Sequence, residues 1–230
     1  MTPLVMIPGM MCDARLVAPQ IAAFSGRRTL VFAPITGRAS LEDLAKDVLA
    51  NAPKRFALAG LSMGGIVAME VLRQEPERIE RIALMDTNPL AEANQIKARR
   101  LPQMIKVRDG ALGSVMRDEM KPHYLSDTPQ RESILNICME MALDLGPSVF
   151  LEQSHALMDR PDQSGTLRSV EVPALILCGR EDALCPVSRH ELMAQLIPNA
   201  QLEIIEGAGH LPTLEQPDLT NAALTRWLEA

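Results

Sequence analysis

Six short apolar runs recur along the chain with helix-patterned segments between them: Leu4–Ile7, Thr29–Phe32, Phe56–Ala59, Ile82–Met85, Ala174–Cys178 and Leu202–Ile205. Short, nearly continuous apolar runs suit strands buried on both faces, and parallel strands need helical crossovers between them. Ser40 is placed to cap a helix carrying Leu41, Leu44, Ala45, Val48 and Leu49 at helical spacing. Ser188 and Glu191 have capping-box spacing ahead of Leu192, Met193 and Leu196, and Pro217 opens a helix ending near Leu228. The alternation predicts an α/β fold, a mostly parallel sheet of about six strands with helices on both faces.

The strand pattern stops at Met85 and resumes only at Ala174. Between them the spacing predicts helices over Ala91–Val107, Leu112–Met120, Arg131–Leu145 (stopped by Gly146-Pro147) and Val149–Met158. A helical block between sheet strands reads as a lid. The expected organisation is a core of residues 1–88 and 168–230 with a helical cap at 89–167, and Pro161–Gly165 as the returning linker. At 230 residues the chain is expected to form one domain carrying this insertion.

Charge excludes some roles. The net charge is -6 and no Lys/Arg-rich run occurs, so neither nucleic acid nor a membrane is an expected partner. The N-terminus lacks a basic, then long apolar, targeting pattern, and no apolar run approaches the length of a bilayer. The four cysteines, Cys12, Cys138, Cys178 and Cys185, are scattered without C-x-x-C spacing, which reads as a reduced, cytoplasmic protein. The histidines at 123, 155, 190 and 210 form no H-x-x-x-H pair, so no metal centre is expected.

Chemistry enters at Gly60-Leu61-Ser62-Met63-Gly64-Gly65, between an apolar run and a helical one. This is G-x-S-x-G in a strand-turn-helix setting, the pattern that lifts a serine hydroxyl above a sheet edge. Asp182 lies in Gly179-x-x-Asp-x-x-x-Pro186 after the fifth run, and His210 in Gly207-Ala208-Gly209-His210 after the last. Loops at the carboxyl ends of parallel strands are where such sheets place functional groups. A serine hydroxyl is a weak nucleophile that needs a base within reach. Histidine can take and return the proton, and a carboxylate behind it fixes its tautomer. Asp86, which also ends a strand, is the alternative acid, but it lacks the longer motif around Asp182.

With these three motifs the chain resembles the alpha/beta-hydrolase superfamily, in particular its small capped carboxylesterase-like branch. The likeness covers nearly the whole chain outside the lid. It implies Ser62 as nucleophile, Asp182 as acid and His210 as base, with no cofactor. It also implies an oxyanion hole made by the backbone amides of Met63 and Met10. Many relatives carry His-Gly where this chain has Pro8-Gly9. The opening antiparallel hairpin common in the family is missing, which gives an expected strand order of 2-1-3-4-5-6 and leaves an edge that a second subunit could cover. Monomer and homodimer both remain open.

Met11, Leu184, Leu211 and Tyr124 are the candidate substrate contacts. Cys12 and Asp13 follow the oxyanion loop, and His123 and His155 lie in the lid. The 14 methionines are unusual; Met10, Met11 and Met63 flank the site, whereas most lid methionines read as packing. No Arg/Lys cluster stands out beside the pocket, with Arg180 and Lys121 the only candidates for a substrate carboxylate. The leading expectation is serine hydrolysis of a small or medium carboxylic ester through an acyl-enzyme. Thioesterase, carbon–carbon hydrolase, acyltransferase, cofactor-free lyase and perhydrolase chemistry use the same triad, and a non-catalytic binding protein is the alternative from another class.

Overall fold

Each strand alternates its side chains between two helix-covered faces, which explains why the inner strands Leu4–Ile7, Phe56–Leu61 and Ala174–Gly179 are apolar and buried at every position, while the edge strand Gln201–Ile205 alternates Gln201 and Glu203 with Leu202 and Ile204. The computed structural model describes all residues, Met1–Ala230. Strands β1 (Leu4–Ile7), β2 (Leu30–Phe32), β3 (Phe56–Leu61), β4 (Ile79–Met85), β5 (Ala174–Gly179) and β6 (Gln201–Ile205) form one sheet in the order β2-β1-β3-β4-β5-β6, every pair parallel. The helices are α1 (Ala18–Phe24), α2 (Leu41–Asn51), α3 (Met63–Gln74), α4 (Asn94–Arg108), α5 (Leu112–Ser114), α6 (Arg131–Met158), α7 (Ser164–Arg168), α8 (Val187–Leu196), α9 (Pro212–Glu215) and α10 (Pro217–Glu229).

Val5, Phe56, Leu58, Ile82, Leu84 and Ile176 pack on one face with residues of α2, α3 and α8. Leu4, Met6, Ala57, Ala59, Met85 and Leu177 pack on the other with Phe24 of α1 and Trp227 of α10. A third cluster, holding Met11, Met104, Met116 and Phe150, lies among α4, α5, α6 and the loop after β1. These methionines are buried packing residues.

The structure departs from the sequence reading at element ends. Strand β4 begins three residues early, because its polar start is satisfied at the sheet end: Glu80 pairs with Arg55 and Arg81 Nη1 donates to the Trp227 carbonyl. Ser188 caps nothing. Pro186, already extended, occupies the cap position, and Ser188 falls inside the first turn of α8. The Pro161–Gly165 stretch is only partly linker, since α7 starts at Ser164. The chain from Arg131 to Met158 is helical on both sides of Gly146, whose φ of 80° and ψ of 176° break it. Taken whole, that segment is long and apolar enough to cross a membrane by length and composition. Its two pieces are each shorter than the ~20 residues a span requires.

Candidate active site

The turn from β3 into α3 brings backbones so close that side chains cannot fit. A Cβ on Gly60 would fall on the Gly64 carbonyl, and one on Gly64 would fall on the Ile7 carbonyl. Ser62 between them takes φ 56° and ψ -117°, a conformation that costs a non-glycine residue about 1–3 kcal/mol. Two hydrogen bonds hold it there: Ser62 N–H donates to the Met85 carbonyl at 2.8 Å, and Thr87 Oγ1 donates to the Ser62 carbonyl at 2.7 Å.

His210 Nε2 lies 2.8 Å from Ser62 Oγ, and His210 Nδ1 lies 2.8 Å from Asp182 Oδ2. A carboxylate at Nδ1 keeps the ring proton on that nitrogen and leaves Nε2 bare to accept the serine proton. Asp182 Oδ1 accepts the amides of Leu184 and Cys185 at 2.8 and 2.9 Å. Burial opposes the Asp182 charge, but the His210 ring and those two amides outweigh it, so the carboxyl sits below its ordinary value. Asp86 behaves oppositely. Burial, then the neighbouring Asp182 charge, raises it well above the carboxylate range, and its Oδ1 accepts the Gly179 amide at 2.9 Å. Asp86 makes no hydrogen bond to His210.

Met63 N–H is at the start of α3, where the first amides have no intrahelical acceptor. In the loop after β1, Cys12 N–H donates to the Gly9 carbonyl at 3.2 Å and Met11 N–H to Gln153 Oε1 at 2.8 Å, while Met10 N–H has no protein acceptor. Met11 has φ 55°. It is buried in the cluster with Met104 and Phe150 and does not line the cavity, a correction to its expected role. Met11 is turned instead toward α6, where its amide is held by Gln153 and its side chain packs with Phe150.

The cavity, about 330 Å³, is lined by Ser62, His210, Met10 and Met63 together with Tyr124, Leu184 and Leu211. Cys12 and His123 also face it. Asp13 instead caps the short turn at Ala14–Val17 and pairs with Arg15, and His155 is exposed. Burial pushes the Cys12 thiol well up, which leaves it a poor nucleophile. The expectation of no Arg/Lys cluster beside the pocket is overturned: Arg99, Arg100 and Arg160 all line it. Arg180 pairs with Glu206 at the surface, and Lys121 is not in the lining. Asp182, Cys185 and His210 place possible ligand atoms within 4.8 Å of one another. Asp182 and His210 are already hydrogen-bonded together, and burial holds the Cys185 thiol far above its ordinary value, so this group presents no ready thiolate.

Three supporting residues escaped the sequence reading. Gln153 joins α6 to the loop after β1. Glu215 collects the amides of Gly209 and Leu211, each at 3.0 Å, and the Ser126 amide at 2.8 Å, and so clamps the chain on both sides of His210. His190, fully buried, accepts the Thr87 amide on Nε2 at 3.0 Å. Burial brings its pKa down to about 4, so the ring is neutral. Glu215 follows His210 closely enough in sequence to be suspected; the other two carry no local signal.

A model of the alpha/beta hydrolase family matches residues 6–223. The pimeloyl-[acyl-carrier protein] methyl ester esterase of Legionella pneumophila is 24% identical over 233 residues, covering 94% of this chain and 91% of its own length. The biotin biosynthesis bifunctional protein BioHC of Teredinibacter turnerae is 26% identical over 86% of this chain, and the chain spans 38% of that protein. Among solved structures, a thermophilic esterase from Thermogutta terrifontis with malate bound has a TM-score of 0.91 at 27% identity, over 100% of this chain and 90% of its own. An enol-lactonase from Burkholderia xenovorans has a TM-score of 0.89 over 100% and 92% of the two chains, and at 21% identity shows the fold alone.

Proposed function

The chain belongs to the alpha/beta hydrolase family as a carboxylesterase-like hydrolase, and we propose that it cleaves a small or medium carboxylic ester through Ser62, His210 and Asp182. The observation that carries this reading is the unbroken hydrogen-bonded chain from Ser62 Oγ through both nitrogens of His210 to Asp182, opening on a cavity.

Ser62 Oγ attacks the ester carbonyl while its proton passes to His210 Nε2, and Asp182 stabilises the imidazolium. The carbonyl oxygen gains the negative charge and rests on the Met63 and Met10 amides, each such donor worth about 3–4 kcal/mol in the transition state. His210 returns the proton to the departing alkoxide, giving the free alcohol and an acyl-serine. Water, deprotonated by His210, then releases the acid and regenerates Ser62. No step needs a cofactor. Residues 89–167 act as the cap, since α4 contributes Ile96, Arg99, Arg100 and Gln103 to the cavity wall. Four unpaired cysteines support a reducing compartment.

A second reading, an ester carried on an acidic carrier protein, draws on the name of the Legionella relative and on α4. Against the expectation of no Lys/Arg-rich run, that helix holds Lys97, Arg99, Arg100, Lys106 and Arg108 and no acid. Hydrolysis of p-nitrophenyl esters by the wild type, and its absence in Ser62→Ala, tests the leading reading. Turnover of carrier-bound esters only would favour the second.

A further inference from the structure

The cavity that Ser62 opens on carries more positive charge in its wall than it neutralises. Glu92 is buried, and its carboxylate is shared by two guanidiniums. Arg100 binds it through Nη2 and Nε at 2.7 and 2.9 Å, and Arg160 Nη1 lies 3.3 Å away. The side chains of Arg100 and Arg160 are only 12% and 11% exposed. One carboxylate between two guanidiniums leaves a cation uncompensated where water reaches it poorly, an arrangement that costs free energy unless a partner arrives. Burial lowers the pKa of Arg160 despite the adjacent Glu92, as expected of a cation short of counter-charge.

The donors still free are at hand. Arg100 Nη1 touches only Met10 Sδ, at 3.7 Å, and Arg160 Nη2 has no protein acceptor; Arg160 Nε is spent on the Leu90 carbonyl. Arg99, exposed on α4, makes no ion pair and lines the same cavity. Glu119, the other acid in the lining, is taken by Lys106 at 2.6 Å. Apolar Ile66, Leu157, Leu184 and Leu211 line the same cavity, together with Ser62.

We propose that Arg100 and Arg160 form an anion subsite, and that the substrate is an ester carrying a carboxylate on the arm remote from its scissile carbonyl. A carboxylate offers two coplanar oxygens, which suit one N–H from each guanidinium. Arg99 at the mouth draws the anion in. The apolar lining holds the connecting methylenes. This inference rests on the ester-hydrolase reading above and narrows it to half-esters of dicarboxylic acids and their like.

The test measures kcat/KM for the monomethyl esters of succinic through suberic acid against the matching dimethyl esters. It uses wild type, Arg100→Met and Glu92→Gln. Wild type is expected to prefer the monoester by about 10- to 100-fold at one chain length or more, the range of a hydrogen bond to a charged group. Arg100→Met should shrink that ratio. Glu92→Gln, isosteric but uncharged, should enlarge it, because both guanidiniums lose their internal partner. General damage to the fold would slow both esters together and leave the ratio alone. Equal use of both esters by wild type at every length, or a ratio blind to both substitutions, would overturn the subsite. Calorimetric binding of the free dicarboxylates to Ser62→Ala separates the two claims. Binding without turnover of any ester leaves the subsite standing and removes the esterase; turnover of neutral esters without dicarboxylate binding does the reverse.

Discussion

Gln153 Oε1 accepts the backbone amide of Met11 at 2.8 Å, while Gln153 Nε2 donates to the Ile35 carbonyl at 2.9 Å. One fully buried side chain on α6 thus pins the loop after β1 in its left-handed turn and leaves Met10 N–H free. Gln153→Leu should therefore lower kcat by about 10²–10³, the cost of an oxyanion donor, with a much smaller change in KM. A boronate inhibitor should weaken in step with kcat, and Gln153→Glu, which keeps the acceptor, should lose less. An unchanged kcat in Gln153→Leu would remove Gln153 from the account.

The two strand-end aspartates should separate under the same substitution. Asp182→Asn disrupts the bond that fixes the His210 tautomer and should cost kcat about 10⁴. Asp86→Asn should leave most activity. Because burial and the Asp182 charge raise the Asp86 pKa in the folded state, its contribution to stability is full at low pH and is lost as pH rises through that raised value. Asp86→Asn should therefore match wild type in thermal midpoint at acid pH and exceed it at alkaline pH. Asparagine also tolerates the φ of 44° at this position.

His190 gives the opposite pH dependence. Its folded pKa is depressed to about 4 from an ordinary 6.5, so its stabilising effect is present above pH 6.5 and fades as pH falls toward 4. The loss amounts to about 3 kcal/mol across that window. Fluorescence of the single tryptophan, buried Trp227, can follow urea unfolding at pH 7 and pH 5. His190→Gln should narrow the difference between the two.

Gly64→Ala should be far more damaging than an ordinary helical glycine-to-alanine change, which tends to stabilise. The added methyl would meet the backbone of β1 at Ile7 and Pro8, next to the Met10 turn. Lower yield or a lower thermal midpoint, together with lost ester hydrolysis, is the expected outcome. Gly165→Ala, with open space around its Cβ, is the control.

The six strands were legible because each carries a short apolar run and the links between them carry helical spacing, whereas their order came from the family resemblance. Ser62, Asp182 and His210 were legible as candidates because each lies in the connection after a parallel strand, Ser62 immediately after β3 and the other two in the short loops after β5 and β6, so all three lie at the carboxyl end of the sheet. The parts that were not legible act across long separations. Met11 and Gln153 are 142 residues apart, and Ser126 and Glu215 are 89 apart. Arg100 and Arg160 belong to no motif in the sequence, and only the approach of α4 to the chain after α6 brings both to Glu92. Ser188 had the spacing of a capping box, but Pro186 takes the cap position and starts the helix two residues too soon for it.

The central claim is that the residues around Ser62 make its hydroxyl a nucleophile. Intact mass after treatment with a fluorophosphonate tests that most directly, on wild type, Ser62→Ala and His210→Gln. The account predicts one adduct on wild type, none on Ser62→Ala and a severely slowed reaction on His210→Gln. An unlabelled wild type, or an adduct of equal yield on Ser62→Ala, would contradict it.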